Sequence, residues 1–508
     1  MKQSLFLLII TCVILAGCKK KPAAITPVLN TGILVKNLNF DNEPVVTSKY
    51  KFYASTDVGN DSYKIQNIDS LPVGTSITKL KAQFTPLNDK VRVTVNGKLQ
   101  VSGVTENDFM NPVIYQASIG NGEVQTIKVI VNVAKIKREP KQFILLNGYL
   151  NESDYQAIST RFGTQDTKNT AVGVGVIISY LNNSPENNLA QLNNYLSLAL
   201  KYNLPILVKL DGEQWWDYRS DLWNWWDPAK PGYNPANREN VEHYDWASDS
   251  AVKIGWRNWG RQIRVKPMPN LMSPAYRAAC HTAMTKMVDA IKLWKDALPE
   301  DKKFLFMGIL VGWESAIGVN NFYYPNGNGY LTQPESKDPT AGPVGAPPSR
   351  GLQTIGYAAV KSADLASSGT LTAEMQVEVT RRHLEDLSKL VYDRGFTRDK
   401  IFTHVGGWFK GETLFSAALN EYSCPGWSFY STASNPTLDT DVMNALKNST
   451  APYWSATEWL LMGNHTKEEW ISALQLTLGA KTRYVCIYNW SDVLANNNAM
   501  DAISEMNR

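Results

Sequence analysis

The stretch FLFMGILV (304–311), continued by GWE (312–314), decides the reading of the fold. Eight consecutive residues are apolar or glycine. The run is too short for a buried helix and suits a strand covered on both faces. Strands of that kind belong to parallel sheets flanked by helices. The run stops at Gly312, Trp313 and the carboxylate of Glu314. A carboxylate is costly to bury unpaired, so an acid at this place calls for a partner and a purpose.

Similar runs occur at 143–146, 171–179, 205–210, 401–405, 426–430, 452–457 and 483–488, which with 304–311 make eight. Between them lie helical patterns at 152–162, 187–202, 273–297, 372–394, 438–447 and 467–479. AEMQVEVTRRHLEDLSKLVYDRG (373–395) shows the period: Met375, Val379, Leu384, Leu387, Leu390 and Val391 form one stripe, and Gly395 is placed to end the helix. Eight buried strands alternating with helices predict an α/β fold, a closed (β/α)8 TIM barrel over 140–508. An open α/β sheet is the alternative. The closed form is preferred because several strands end in polar or aromatic residues, as the tops of barrels do. Two connections, 211–272 and 315–371, are too long for plain barrel loops. Both leave from the C-terminal ends of strands, where barrel enzymes build their sites. The second is rich in Gly and Pro and reads as a lid.

The N-terminal part has a different texture. KVRVTVNGKLQVSG (90–103) alternates with period two on both sides of Asn96-Gly97, a pairing that suits a type I′ hairpin turn. KYKFYAST (49–56) and TIKVIVNVAK (126–135) are further strands. Residues 32–136 are therefore expected to form a small immunoglobulin-like β-sandwich, with IKREPKQ (136–142) as the linker behind it. No convergent acids, histidines or glycine loop appear in it, so an accessory or spacer role is expected. Ahead of it, Lys2, the apolar run Leu5–Leu15 and LAGC (15–18) read as a signal peptide, and 19–31 as a tether. LAGC resembles the lipobox of bacterial lipoproteins. That resemblance implies a lipid on Cys18 and a membrane-anchored place in the cell envelope, at the periplasmic or the outer face.

Other classes are excluded by what is missing. Lys and Arg number 51 against 47 Asp and Glu, a net charge of +4 with no basic cluster of the kind that binds nucleic acid. The cysteines, Cys12, Cys18, Cys280, Cys424 and Cys486, lack the spacing of a disulfide framework or a zinc site, so the last three are expected to be buried free thiols. There is no GxSxG, HExxH, P-loop or dinucleotide fingerprint, and no cofactor or metal is expected. His281 and His383 fall in helical patterns and are expected to be structural, whereas His404 ends the fifth strand and can point into a site.

A second acid matches Glu314. PYWSATEWLL (452–461) carries the seventh strand into Glu458. Glutamates at the ends of strands four and seven face one cavity across a barrel. Cleavage of a glycosidic bond needs such a pair, one protonated to release the leaving oxygen and one ionised to attack the anomeric carbon. The arrangement resembles the clan A glycoside hydrolases, retaining (β/α)8 enzymes, over residues 143–508. The resemblance implies Glu314 as acid/base and Glu458 as nucleophile. It also implies Tyr430, in GWSFYS (426–431), as the nucleophile's hydrogen-bond partner, and Trp490, in YVCIYNWSD (484–492), as the floor of the first sugar subsite. The chain departs from clan A where an asparagine ordinarily precedes the acid/base and Trp313 stands instead. His404, Asn489 or Asn320 are the candidates to take over that contact with the sugar's 2-hydroxyl.

The first long connection carries five tryptophans within DGEQWWDYRSDLWNWWDP (211–228). Aromatic faces stack on sugar rings and acids bind hydroxyls, so Asp211, Glu213, Trp215 and Trp216 are expected to contact substrate. Arg257, Arg261 and Arg264 pair either with neighbouring acids or with an acidic sugar. The reading that results is a retaining β-glycosidase of poly- or oligosaccharides. Its alternatives are a glycan-binding lipoprotein without catalysis and an enzyme acting on uronic-acid glycans.

Overall fold

A computed structural model describes residues 33–43, 51–56, 62–72, 75–120, 122, 124–133, 140–258, 262–317, 319–320, 353–406, 412–479 and 481–508. The signal peptide, Cys18, the tether, Arg261 and residues 321–352 of the second long connection lie outside the described residues. Two compact units divide the chain, Met1–Ile136 and Lys137–Arg508.

The first unit contains a six-stranded sheet and two two-stranded ones. Strands Val91–Val95 and Lys98–Leu99 turn on Asn96 and Gly97, at φ +50° and +76°, as the Asn-Gly pair predicts. Alternate residues of Val113–Ile119 (Val113, Tyr115, Ala117) face inward, as do Ile127 and Val129 of Val124–Ile130. They meet Phe40, Leu80, Phe84 and Phe109 in one core.

The second unit is a closed barrel of eight strands: β1 Gln142–Asn147, β2 Thr170–Ser179, β3 Ile206–Asp211, β4 Phe306–Ser315, β5 Ile401–Val405, β6 Gly426–Phe429, β7 Trp454–Trp459 and β8 Thr482–Tyr488. All neighbouring pairs are parallel, and β8 returns to β1 through Phe143↔Tyr484 and Leu145↔Cys486. The outer helices include α1 Glu152–Phe162, α2 Pro185–Tyr202, α3 Pro274–Ala297, α4 Ala373–Tyr392, α5 Thr440–Lys447, α6 Lys467–Gly479 and α7 Asn497–Met506. Their starts follow local chemistry. Asn151 accepts from the N–H groups of Ser153 and Asp154 in a capping box, and Ser184 and Ser273 cap helices that open on proline.

The structure revises the sequence reading in places. Residues 300–305 form a 3-10 turn, so β4 begins at Phe306. Between β5 and β6, where the sequence reading placed no helix, the described residues hold a 3-10 segment, Glu412–Ala418. Helix α7 has no counterpart in the sequence reading, NNAMDAISEM being only ten residues long. Cys280, Cys424 and Cys486 are free and buried, as expected.

Period-two alternation divides each strand between lumen and helices. Phe143, Leu145, Leu207, Met307, Phe402, Tyr484 and Cys486 pack together inside the barrel. Two residues further along β1, β3 and β5 the same inward register reaches Asn147, Lys209 and His404, and two beyond Cys486 it reaches Tyr488. The lumen thus changes from apolar to polar toward the C-terminal ends of its strands, the end that carries chemistry in this fold.

Candidate active site

Glu314 stands at the end of β4 in an unusual backbone. Between β4 and β5 the pairing passes from Val311↔Thr403 to Ser315↔Val405, so three residues of β4 oppose one of β5. This bulge is made by Gly312 at φ +78° and Glu314 at φ +49°. Bulges re-aim side chains next to active sites, and a non-glycine residue at positive φ persists where its surroundings enforce it.

Those surroundings are identifiable. The Gln214 amide donates to the Trp313 carbonyl at 2.8 Å. Ser315 Oγ donates to Glu213 Oε1 at 2.6 Å, and His383 Nε2 lies 3.1 Å from the same oxygen. Asp211 in turn fixes the loop, because its Oδ1 accepts from the N–H groups of Glu213 (2.9 Å) and Gln214 (3.0 Å) and its Oδ2 from Ser179 (2.9 Å). Asp211 is fully buried and Glu213 is 1% exposed. Burial pushes the Asp211 carboxyl up to about 6, against the N–H groups that pull it down. The sequence expectation that these two acids touch sugar hydroxyls is therefore corrected: both Asp211 oxygens and Glu213 Oε1 are engaged inside the protein, where they hold the β4 bulge, and Glu213 Oε2 is buried with no hydrogen-bond partner among the described residues.

Around Glu314 the other groups converge. Ser428 of β6 donates to Glu314 Oε1 at 3.0 Å, and His404 Nε2 lies 2.8 Å from Ser428 Oγ. The hydroxyl's one proton goes to the carboxylate, so His404 carries its proton on Nε2 and donates to Ser428. Burial, and Lys209 beside it, hold this imidazole well below the usual histidine range and hence neutral. Glu458, on β7, is 4% exposed. The Tyr430 hydroxyl donates to its Oε1, and the Trp313 indole N–H to its Oε2 at 3.3 Å. Burial pushes the Glu458 carboxyl up, while Lys209, Tyr430 and Trp313 pull it down. Burial and the negative charges of Glu458 and Glu314 push the Tyr430 phenol up, so it stays a donor. One carboxylate oxygen each from Glu314 and Glu458 and one ring nitrogen of His404 lie within 4.8 Å of one another.

The structure thus brings together Glu314, Glu458, Tyr430, His404 and Trp313. It does not bring in every expected aromatic. Trp216 is 1% exposed, its N–H bonded to the Pro267 carbonyl (3.0 Å) and its ring edge-on to Tyr276. Trp490 is 4% exposed, with its N–H bonded to Asp154 of α1 at 3.0 Å. Both are packing residues, so Trp490 is not an open floor for a sugar ring. Asn489 caps the short helix behind β8, its Oδ1 accepting from the Asp492 N–H at 3.1 Å and from the Ser491 hydroxyl. Trp215 is half-buried. The side chains of Asn320 and Arg257 lie outside the described residues. Acids of the first long connection find cations nearby: Asp217 with Lys266 (3.4 Å) and Asp221 with Arg219 (2.7 Å). Arg264 lies over the Trp256 ring.

Residues missed from the sequence are Ser428, Gln214, Lys209, Tyr149 and Tyr488. Tyr149, in the loop after β1, is 85% exposed and Tyr488 half-buried at the end of β8. A lysine inside the buried run PILVKL (205–210) was a readable signal, since a charge two residues beyond the inward Leu207 has to be answered in the lumen.

No protein-family model matches the chain, and no curated protein matches it. Solved structures do match. The chain is similar to the catalytic domain of β-amylase from Paenibacillus polymyxa, with a TM-score of 0.39 and 8% identity, over 73% of this chain and 98% of that one. It is similar to a Bacteroides ovatus GH5 xyloglucanase in complex with a XXXG heptasaccharide, with a TM-score of 0.33 and 9% identity, over 90% and 99% of the two chains. It is also similar to a glycoside hydrolase family 5 enzyme from Prevotella bryantii B14, with a TM-score of 0.34 and 10% identity, over 71% and 87%. The (β/α)8 fold rests on the strand pairing of the chain itself.

Proposed function

We propose that the protein is a retaining glycoside hydrolase that cleaves β-glycosidic bonds of a poly- or oligosaccharide. The observation that carries the reading is the convergence of Glu314 and Glu458, from opposite sides of the barrel mouth, with carboxylate oxygens inside 4.8 Å. That approach goes with the short carboxyl separation of about 5–5.5 Å used in double displacement, which leaves no room for a water between the pair. The roles follow from the two environments. Glu458 is buried, and each of its oxygens has a donor, which seats one carboxylate for attack on the anomeric carbon. Glu314 is partly exposed and hydrogen-bonded through Ser428, so it can exchange a proton with water. In the first step a Glu458 oxygen bonds to the anomeric carbon, the glycosidic C–O bond breaks, and the Glu314 proton passes to the leaving oxygen. In the second, Glu314 takes a proton from water, the hydroxide oxygen bonds to the anomeric carbon, and Glu458 leaves as carboxylate. Among the described residues, exposed Tyr149 offers an aromatic surface to a sugar near this mouth. The lipobox-like LAGC supports anchoring through Cys18 in the cell envelope as part of the same reading.

The test compares Glu458→Ala with Glu314→Ala on aryl β-glycosides. Glu458→Ala is expected to lose turnover on every substrate, and azide to yield a glycosyl azide of inverted configuration. Glu314→Ala is expected to keep forming the intermediate from dinitrophenyl glycosides, and azide to rescue its breakdown with retention. Equal activity of the wild type and both variants would refute the assignment, and a wild type inactive across a broad glycan screen would favour binding without catalysis.

A further inference from the structure

Lys209 has no part in the double displacement just described, yet it sits in the barrel lumen at 1% exposure. Its stem occupies space left by Gly175 of β2: a Cβ there would lie 3.5 Å from Lys209 Cε and 2.9 Å from Cys486 Sγ. Its ammonium donates to the Thr457 carbonyl at 3.1 Å, across the barrel from its own strand. Thr457 is the residue directly before Glu458. A buried ammonium demands an opposite charge. Among the described residues, the groups that face Glu458 are Lys209 from β3, Glu314 from β4, His404 from β5, Tyr430 behind β6, and Cys486 and Tyr488 from β8. His404 is neutral, and burial holds Tyr430, Cys486 and Tyr488 in their protonated forms. Lys209 is the cation among them.

We propose that Lys209 is a positioning residue of this site: its buried ammonium is the counter-charge of Glu458 and, through the Thr457 carbonyl, fixes the strand from which that carboxylate projects. The catalytic consequence rests on the reading of Glu458 as nucleophile; the charge pairing does not.

A double-mutant cycle on the full chain tests the pairing without reference to activity. Lys209→Met keeps an unbranched chain and removes the charge, and Glu458→Gln removes the opposite one. Each single variant is expected to unfold at lower temperature, and the double variant to regain more than half of the larger loss, since removing both members of a buried pair relieves the cost of removing one. If Lys209→Met does not fold, the double variant is still expected to. A double variant that loses the sum of the single losses, or that fails to fold, overturns the proposal. The second readout is the carboxyl C=O stretch of Glu458, isolated as the infrared difference from the Glu458→Gln chain and followed against pH. In the Lys209→Met background its midpoint is expected to rise by about 1–3 pH units, and the acid limb of kcat/KM on an aryl glycoside to rise with it while KM stays near its original value. An unmoved infrared midpoint overturns the proposal even if the chain is an active glycosidase. A moved midpoint in a chain without glycosidase activity upholds Lys209 as the counter-charge and removes the hydrolase reading instead.

Discussion

Replacing Gly312 by alanine probes the bulge that aims Glu314. Gly312 adopts φ +78°, and a Cβ there would lie 2.3 Å from Ser315 Oγ, 2.7 Å from Leu384 Cδ2 and 3.2 Å from Glu213 Oε1. Two costs follow. The left-handed backbone costs an alanine about 1–2 kcal/mol, and forcing a methyl into packed surroundings adds about 1–3 kcal/mol. Gly395 separates them: it has φ +86° with nothing within 4 Å of a Cβ, so Gly395→Ala meets the backbone cost alone. Gly395→Ala is expected to lose about 1–2 kcal/mol and Gly312→Ala about 2–5 kcal/mol. Tryptophan fluorescence in urea reads this from the barrel, because all 16 tryptophans lie between 215 and 490. The methyl also displaces Ser315 from Glu213 and shifts Glu314, and a misplacement near 1 Å costs on the order of 10²-fold in turnover. Gly395→Ala is expected to leave turnover unchanged. Equal stability losses for the two variants, with equal turnover, would refute the argument that the Glu213–Ser315 contact and the bulge position Glu314.

Other expectations follow from single features. Burial pushes the Glu242 carboxyl up to about 8 from 4.5, against the N–H groups of His243, Ala359, Ala358 and Gly356. An acid raised on folding stabilises fully below its unfolded value, and that contribution is lost as pH rises through about 8; at ~1.4 kcal/mol per pH unit the change is at most roughly 5 kcal/mol. The wild type should therefore lose melting temperature between about pH 5 and 9 more steeply than Glu242→Gln, and parallel melting curves would count against it. Trp216→Ala, in the core, is expected to cost about 3–5 kcal/mol, whereas half-buried Trp215→Ala should cost less and act more on KM; calorimetry with kinetics decides. The chain from Lys137 onward, expressed alone, is expected to keep its turnover, because the barrel's core is built within that unit. A folded fragment without activity would give the first unit a part in catalysis.

The sequence by itself determined the architecture. Runs of buried length at eight places and amphipathic stripes between them specify which faces leave water, and burying those faces leaves a barrel as the closed solution. It also marked the two carboxylates, because an acid ending a buried strand conflicts with local burial and Glu314 and Glu458 both do so. Asn96-Gly97 declared its hairpin for the same kind of reason, a backbone requirement confined to two neighbouring residues. What only the tertiary structure decided is where shared residue types are put to use. Asp211, Glu213, Trp216 and Trp490 have the composition of a sugar site, yet contacts distant in sequence, with Ser315, Pro267 and Asp154, turn them inward. The β4 bulge offsets the pairing of β4 with β5 by two residues, and Ser428 and Lys209 reach their partners across the lumen from β6 and β3. Periodicity is a property of one segment; the direction of a side chain beyond a bulge, and the charge that faces it, are set by strands that meet only when the barrel closes.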